Sequence, residues 1–214
     1  ADTKAVCPAL RRVARGNLCS GCGGCALAAP DKVKMEMLAP GFLRPRQIGS
    51  ISTEEDALIS RICPGLGQRV EAGARENDIL WGPYVDMETG YAADMELRHR
   101  ASSGGALSAM LIHLLDTGVI DGIVQTSASP DIPIANVTVL SQTARDIYTA
   151  AGSRYAPSAP LDQLDSYFEE SKRYAFVGKP CDVACLRALA CEDPRIDARI
   201  AVFFSFFCGG VPSQ

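Results

Sequence analysis

Three cysteines at intervals of three residues form the most chemically distinctive stretch of the chain. Cys19, Cys22 and Cys25 lie in "CSGCGGC", where only serine and glycine separate them. Zinc sites usually take two separated pairs of ligands, whereas three thiolates spaced in this way wrap one corner of an iron-sulfur cubane. The glycines let backbone amides bend toward the sulfides without steric cost. The spacing therefore predicts an iron-sulfur site.

The fourth ligand of such a site must come from elsewhere in the chain. The bacterial ferredoxin run has its next cysteine at a position that Ala29 occupies here, and that thiol serves a second cluster in two-cluster ferredoxins. Two cysteines precede a proline, Cys7 and Cys63. We favour Cys63, because "EEDALISRICPG" reads as a short helix whose last turn delivers it, whereas Cys7 has no helix to fix it. The predicted ligands of one [4Fe-4S] cluster are Cys19, Cys22, Cys25 and Cys63. A zinc ion and a set of unliganded thiols are the alternatives.

Composition and charge restrict the setting of this chemistry. The chain has 214 residues, 47% apolar and 21% charged, which is typical of a globular protein. A net charge of -4 with mixed signs gives no footprint for nucleic acid or an anionic membrane. The longest apolar run, residues 200–208, is far shorter than the roughly 20 residues that a membrane span needs. Nine cysteines without a secretion signal favour thiolate chemistry in the cytoplasm over a disulfide framework.

The elements that must position the site divide the chain in two. Residues 1–66 are rich in glycine, proline and cysteine, and we expect a small, ferredoxin-like iron-sulfur lobe there. Residues 67–214 alternate helical and strand patterns, which predicts an α/β (α+β) domain with a mixed sheet. Helices are predicted near residues 107–115, 159–172 and 181–190, and strands near residues 119–124, 134–140, 173–178 and 200–207.

A serine-glycine step opens the first predicted helix of the α/β domain. Ser102, Ser103, Gly104 and Gly105 lie in "RASSGGALSAML", with the glycines expected in the first turn of the helix. A helix amino end offers unpaired amides and partial positive charge, and glycine lets a phosphate approach the backbone. The step suits a dinucleotide pyrophosphate, although it does not match the nicotinamide fingerprint. An ordinary serine cap is the alternative.

Several motifs, taken in order, resemble one family. "CSGCGGC", the distant "CPG", "RASSGG", "GSRYAPS", "VGKPCDVACLR" and "FFCGGVPS" are similar to the beta-subunit family of coenzyme F420-reducing hydrogenase and dehydrogenase. The resemblance implies an iron-sulfur flavoprotein with FAD on the α/β domain. Ser102 to Gly105 would contact the flavin phosphate. The residues that would close over the flavin are Ser153, Arg154, Tyr155 and Lys179.

The resemblance also implies a function. Electrons would pass between the [4Fe-4S] cluster and FAD, and so couple a one-electron partner, ferredoxin or a partner redox subunit, to a small two-electron substrate such as coenzyme F420. Members are expected as homo- or hetero-oligomers, and they usually continue beyond "CGGVPS", so a C-terminal part is expected to be missing here. One alternative is an electron-relay or assembly module that holds the cluster without flavin. Another is a zinc-stapled binding protein.

The remaining cysteines leave a second site open. The spacing of Cys181, Cys185 and Cys191 is looser than that of the ferredoxin cysteines, so a second cluster is the less favoured interpretation. Its ligands would be Cys181, Cys185, Cys191 and Cys208. The favoured interpretation puts Cys185 in the core on its helix and Cys191 at the end of that helix, and leaves the roles of Cys181 and Cys208 open.

Overall fold

The computed structural model describes residues 6–68 and 70–213, so the first five residues of the predicted lobe, Arg69 and Gln214 lie outside the described residues. The helices are α1 (Pro8–Arg15), α2 (Gly24–Ala28), α3 (Thr53–Ile62), α4 (Met95–Arg100), α5 (Ala106–Asp116), α6 (Ala144–Ala150), α7 (Pro180–Glu192) and α8 (Pro194–Arg199). The strands are β1 (Val33–Leu38), β2 (Phe42–Gln47), β3 (Glu76–Asp78), β4 (Gly82–Tyr84), β5 (Gly122–Ala128), β6 (Asn136–Ser141), β7 (Tyr174–Gly178) and β8 (Ile200–Ser205). None of the helices in these ranges is long and apolar enough to cross a membrane.

A four-stranded mixed sheet organises the second half of the chain. Its strand order is β6-β5-β7-β8. Strand β7 runs parallel to both β5 and β8, whereas β6 is antiparallel to β5. All five residues of β7 are buried, as expected of a parallel strand that is covered on both faces. The predicted mixed α/β architecture is confirmed.

Alternate residues of the central strands face two different cores. Ile123 and Ala175 pack with α5 and α6 on one face of the sheet. Val124 and Phe176 pack with α7 on the other face. This follows from the two-residue period of a strand. Cys22 belongs to the core on the α7 face, so the cysteine loop is packed against the α/β domain.

The N-terminal elements form a small core of their own and are also hydrogen-bonded to the α/β domain at two places. The hairpin of β1 and β2 covers α2, and α3 packs against both α1 and α2. Arg61 of α3 makes two hydrogen bonds to Glu192 of α7, at 2.7 and 2.9 Å. The backbone amide of Leu161 donates to the carbonyl of Cys22 at 3.1 Å. The lobe therefore rests on α7 and on the segment that precedes β7.

The helix predicted over residues 159–172 is wrong. That segment contains turns and one short 3₁₀ turn, Leu164–Tyr167. Its apolar residues, Leu161 and Leu164, are fully buried against the cysteine loop, and the Leu161 amide bonds to Cys22 rather than within a helix. Tertiary contacts therefore override a local pattern that favours a helix.

Candidate functional site

The four cysteines predicted as cluster ligands line one small cavity between the lobe and α7. A fifth thiol, that of Cys185 on α7, lines the same cavity. The rest of the lining is largely apolar, with Leu10 and Val13 from α1 and with Met35 and Pro45 from the hairpin. Five soft sulfur donors in an apolar enclosure are suited to iron-sulfur or zinc chemistry and not to a hard cation.

Two glycines shape the loop that carries the first three thiols. Gly21 and Gly23 have φ values of +80° and +89°, a region that side chains rarely adopt. A Cβ atom on Gly23 would also lie 2.6 Å from the backbone nitrogen of Asp162. The positive φ therefore favours glycine at both Gly21 and Gly23, and the close approach of Asp162 is a second reason at Gly23.

A third glycine brings the distant thiol to the loop. Cys63 caps the C-terminal end of α3, and its amide donates to the carbonyl of Ile59 at 3.0 Å. The chain then turns through Pro64–Leu66. A Cβ on Gly65 would lie 2.4 Å from the carbonyl oxygen of Leu18, the residue before Cys19. The "CPG" motif thus positions Cys63 by direct contact with the start of the cysteine loop.

The thiols perturb one another as closely packed neighbours do. Burial raises the pKa of Cys25 well above its ordinary value, and the nearby sulfurs of Cys22, Cys19 and Cys63 raise it further. Burial likewise raises the pKa of Cys63, against hydrogen bonds from the backbone amides of Gly65 and Leu66. Four neighbouring anionic sulfurs would repel one another strongly in this enclosure. A bound cationic centre would remove that cost, because it favours the thiolate form.

Cys185 is the site residue whose position the sequence did not indicate. Its side chain is 1% exposed. Its hydrogen bond to Cys22 raises the pKa of Cys185 and lowers the pKa of Cys22, so Cys185 is the donor of this pair. The predicted interpretation of Cys185 as a core residue is confirmed, yet the core that it joins also encloses the cavity. The sequence does not indicate this position, because it depends on a tertiary contact: a Cβ on Gly24 of α2 would meet the Cys185 sulfur.

The thiols do not surround a single point. Across residues 6–68 and 70–213, no three cysteine, histidine or acidic side chains are arranged to hold one metal ion. A mononuclear zinc site needs its sulfurs about 2.3 Å from one centre. In a cubane each thiolate binds a different iron, so the sulfurs stay apart around a shared volume. The four predicted thiols that line the cavity match in number the thiolates that a [4Fe-4S] cluster requires.

Cys7 lies outside the cavity. It is 5% exposed and packs with Ala9, Leu10 and Val33 in the separate core of the lobe. Its backbone amide donates to the side chain of Gln47 at 2.8 Å. The structure therefore places Cys63, and not Cys7, beside the three-cysteine loop.

The four cysteines of the less favoured second cluster do not come together. Cys181 and Cys185 are one helical turn apart on α7, and Cys185 faces the first cavity. Cys191 is six residues further on, which places it on another side of the helix, and it is exposed. Cys208 is also exposed, beyond β8. The hypothesis of a second cluster from this set is wrong for that reason.

The serine-glycine step differs in one respect from its prediction. Ser102–Gly105 form a 3₁₀ turn, and the glycines precede α5 rather than lying in its first turn. Ser103, Gly104 and Gly105 have φ values of +52°, +68° and +74°. A Cβ on Gly104 would lie 2.9 Å from the Cβ of Tyr91. The step is thus a left-handed cradle in front of a helix, with no room for a side chain at Gly104.

The loop that contains Ser153 meets this cradle. Both the amide of Ser153, at 2.8 Å, and its hydroxyl, at 2.7 Å, hydrogen-bond to the hydroxyl of Ser102. Arg154 and Tyr155 follow with exposed side chains, Tyr155 at 80%. The structure therefore brings together two of the motifs that the resemblance assigns to the flavin.

Lys179 is engaged elsewhere. Its ammonium lies 2.8 Å from a carboxylate oxygen of Asp182, 2.9 Å from the hydroxyl of Ser158 and 3.3 Å from the carbonyl of Ser158. An ammonium has three donor hydrogens, and these contacts use all three. Lys179 therefore joins the start of α7 to the Ser158 loop, and its role at the flavin stays a prediction.

The contact between Gly24 and Cys185 gives a first testable prediction. Gly24 has an ordinary φ, yet a Cβ there would lie 2.1 Å from the Cys185 sulfur. We expect Gly24→Ala to lower the free energy of unfolding by about 1–3 kcal/mol through overpacking. Adding Cys185→Ala should restore most of that loss and leave the iron content unchanged. Denaturant titration of both variants, with Gly90→Ala as a control in open space, measures this coupling. A double variant as unstable as the single one would contradict the contact.

Two family models match the second half of this chain. The N-terminal model of the family described as coenzyme F420 hydrogenase/dehydrogenase, beta subunit, matches residues 87–165, and its C-terminal model matches residues 171–214. Together they cover more than half of the chain, including the serine-glycine cradle and α7. They do not extend to the three-cysteine loop.

Individual relatives agree with the family models. The chain is 27% identical to the F420-dependent formate dehydrogenase subunit beta of Methanocaldococcus jannaschii, over 57% of this chain and 32% of that protein. It is 28% identical to the coenzyme F420-dependent sulfite reductase of the same organism, over 84% of this chain and 26% of that protein. These matches span about a quarter to a third of the length of the relatives.

A solved structure shares part of the fold. It is a chain of the F420-reducing [NiFe] hydrogenase complex from Methanosarcina barkeri, with a TM-score of 0.50 and 25% sequence identity over 55% of this chain and 42% of that chain. The mixed α/β fold therefore has a counterpart of known structure over about half of this chain. The chain belongs to the family of coenzyme F420 hydrogenase/dehydrogenase beta subunits.

Proposed function

We propose that the chain is the redox part of an oxidoreductase that holds a [4Fe-4S] cluster and FAD. The observation that carries the proposal is the convergence of Cys19, Cys22, Cys25 and Cys63 on one cavity that borders the α/β domain. A cluster there would exchange single electrons. The packing of Cys22 into the core on the α7 face keeps this cavity directly against the domain that would carry the flavin.

The chain's own residues provide three functions at the cluster. The four thiols hold it, and the apolar side chains of Leu10, Val13 and Met35 exclude water around it. Backbone amides at Gly21 and Gly65 hydrogen-bond to the Cys19 and Cys63 sulfurs and so stabilise their negative charge. Hydrogen bonding to the sulfurs and exclusion of solvent are two of the means by which a protein sets a cluster's potential.

The cradle is the proposed flavin phosphate site. Gly104 and Gly105 carry no side chains, and α5 begins immediately after them, so a phosphate could reach the amino end of an 11-residue helix. Two hydrogen bonds between Ser102 and Ser153 join the loops that carry the other proposed flavin contacts, Ser103, Arg154 and Tyr155. When bound, a flavin couples one-electron to two-electron chemistry.

The proposed substrate class is supported by the names of the relatives. A formate dehydrogenase subunit, a sulfite reductase and a hydrogenase complex share coenzyme F420 in their names. We propose that a small two-electron carrier of this kind exchanges electrons at the flavin. The one-electron partner is proposed to be ferredoxin or a partner redox subunit within a hetero-oligomer. The proposed location is the cytoplasm.

A substitution in the cradle tests the flavin site. We expect Ser102→Val to weaken FAD binding about thirtyfold, because the Ser153 loop loses two hydrogen bonds to the Ser102 hydroxyl, each of which contributes about 1 kcal/mol. The measurement is titration of the flavin-free protein with FAD, followed by flavin fluorescence. Ser166→Ala, at a hydroxyl with one local bond, is the control and should leave the affinity unchanged.

The absorption spectrum of the unaltered protein distinguishes the proposed function from the electron-relay module and from the zinc-binding protein. Anaerobically purified protein should combine a resolved oxidised-flavin band with broad brown iron-sulfur absorption. Brown absorption with no flavin bound at any FAD concentration would favour the electron-relay module and contradict the flavin proposal. A colourless protein with stoichiometric zinc would contradict both.

A further inference from the structure

An open groove runs along the outer wall of the cysteine site. It has a volume of about 340 Å³ and is lined by Arg12, Arg15, Leu18, Gly65 and Leu66. Leu18 directly precedes Cys19, and Gly65 follows Cys63 by two residues. The floor of this groove, the Arg12/Arg15 groove, is thus the seam at which the two ligand-bearing segments meet.

The groove is positively charged on a molecule that is negative as a whole. Arg12 and Arg15 form the basic last turn of α1, whose first turn has no acidic residue. Within residues 6–68 and 70–213, neither guanidinium takes part in a salt bridge. The chain carries a net charge of -4. An acidic molecule would therefore be repelled by the overall charge and attracted at this groove.

The apolar part of the groove indicates the size of the ligand. Leu18 is 47% exposed, and Leu66 is partly exposed beside it. A small anion gains nothing from contact with two leucines in an open groove. Arginines next to exposed apolar side chains are typical of protein interfaces, in which arginine is enriched. The combination fits an acidic protein better than a phosphate compound.

We propose that the Arg12/Arg15 groove is the docking surface for a small acidic iron-sulfur protein that exchanges single electrons with the cysteine site. The inference rests on the proposed function, which supplies a redox group behind the seam. Docking here would bring the partner to the backbone of Leu18 and Gly65, next to two of the four ligands. A single electron moves in the exchange, and no bond forms or breaks. Opposite charges on the two surfaces would orient the encounter.

Charge reversal in the groove tests the proposal. The probe is an acidic bacterial ferredoxin, and its binding to the iron-loaded protein is followed by surface plasmon resonance at several salt concentrations. We expect Arg12→Glu/Arg15→Glu to slow association at least tenfold and to remove most of its dependence on salt. Glutamate disfavours the C-terminal end of a helix, so Arg12→Gln/Arg15→Gln serves as a second variant with a smaller effect of the same sign.

The control reverses the same amount of charge elsewhere. Arg145 and Arg173 are exposed and outside the groove, and Arg145→Glu/Arg173→Glu should change association less than about twofold. Equal effects of the two double variants would overturn the docking surface, because net charge alone would then explain the binding. Iron-replete Arg12→Glu/Arg15→Glu protein that binds ferredoxin normally would also overturn it. Absence of iron from the unaltered protein would instead overturn the proposed function.

Discussion

Cys63→Ser is expected to abolish cluster binding. The Cys63 side chain is the only predicted ligand outside the three-cysteine loop, and α3 and the Gly65 contact hold it at the cavity. Binding of a structural metal centre contributes directly to folding free energy, so the variant should also unfold at a much lower denaturant concentration than the wild type. Iron and acid-labile sulfide analysis of anaerobically purified protein, together with a denaturant titration, measures both effects.

Two other cysteines provide matched controls for this prediction. Cys7→Ser replaces a buried thiol that lies outside the cavity, and it should retain full iron while losing about 1–2 kcal/mol of stability for the buried hydroxyl. Cys185→Ala removes the fifth thiol and should also retain full iron. Full iron in the Cys63 variant would contradict its role as a ligand, and full iron there together with loss of iron from the Cys185 variant would show that Cys185 completes the set.

Lys179→Met is expected to lower the free energy of unfolding by about 3–5 kcal/mol. The substitution leaves the carboxylate of Asp182, which is 1% exposed, without its cation. Burial raises the pKa of Asp182 even with the lysine beside it, which indicates how costly an unpaired charge would be there. Denaturant titration by circular dichroism measures the loss.

An exposed ion pair supplies the comparison. Lys172 lies 2.8 Å from Glu169, with side chains that are 35% and 57% exposed, so Lys172→Met should cost at most about 1 kcal/mol. Equal losses in the two variants would contradict a buried structural pair. Reduced FAD affinity of Lys179→Met with unchanged stability would support the predicted role of Lys179 at the flavin.

The sequence predicted the elements whose signals are local. The helix that ends at Cys63 is bounded by a capping box at Ser52 and by Pro64, and both signals are visible in the sequence. Helix α5 and the strands of the mixed sheet follow from periodicity in the same way. The prediction of the ligand set also depended on local spacing, since three thiols within one short glycine-rich loop necessarily lie close together.

The sequence could not predict features that arise where distant segments meet. The segment before β7 has the pattern of a helix, but the amide of Leu161 bonds to the carbonyl of Cys22. Lys179 has the features of a cofactor contact, and its contacts with Asp182 and Ser158 are not visible in the sequence. Cys185 has the features of an ordinary core residue until Gly24 is found against its sulfur. In each case the tertiary contact is absent from the local pattern.

The central claim is that the cavity holds an iron-sulfur cubane, and metal and sulfide analysis combined with electron paramagnetic resonance tests it most directly. Protein purified without oxygen should contain about four iron atoms and about four acid-labile sulfides per chain, and it should give the paramagnetic signal of a reduced cluster after treatment with dithionite. One zinc ion per chain, without sulfide and without a signal, would contradict it.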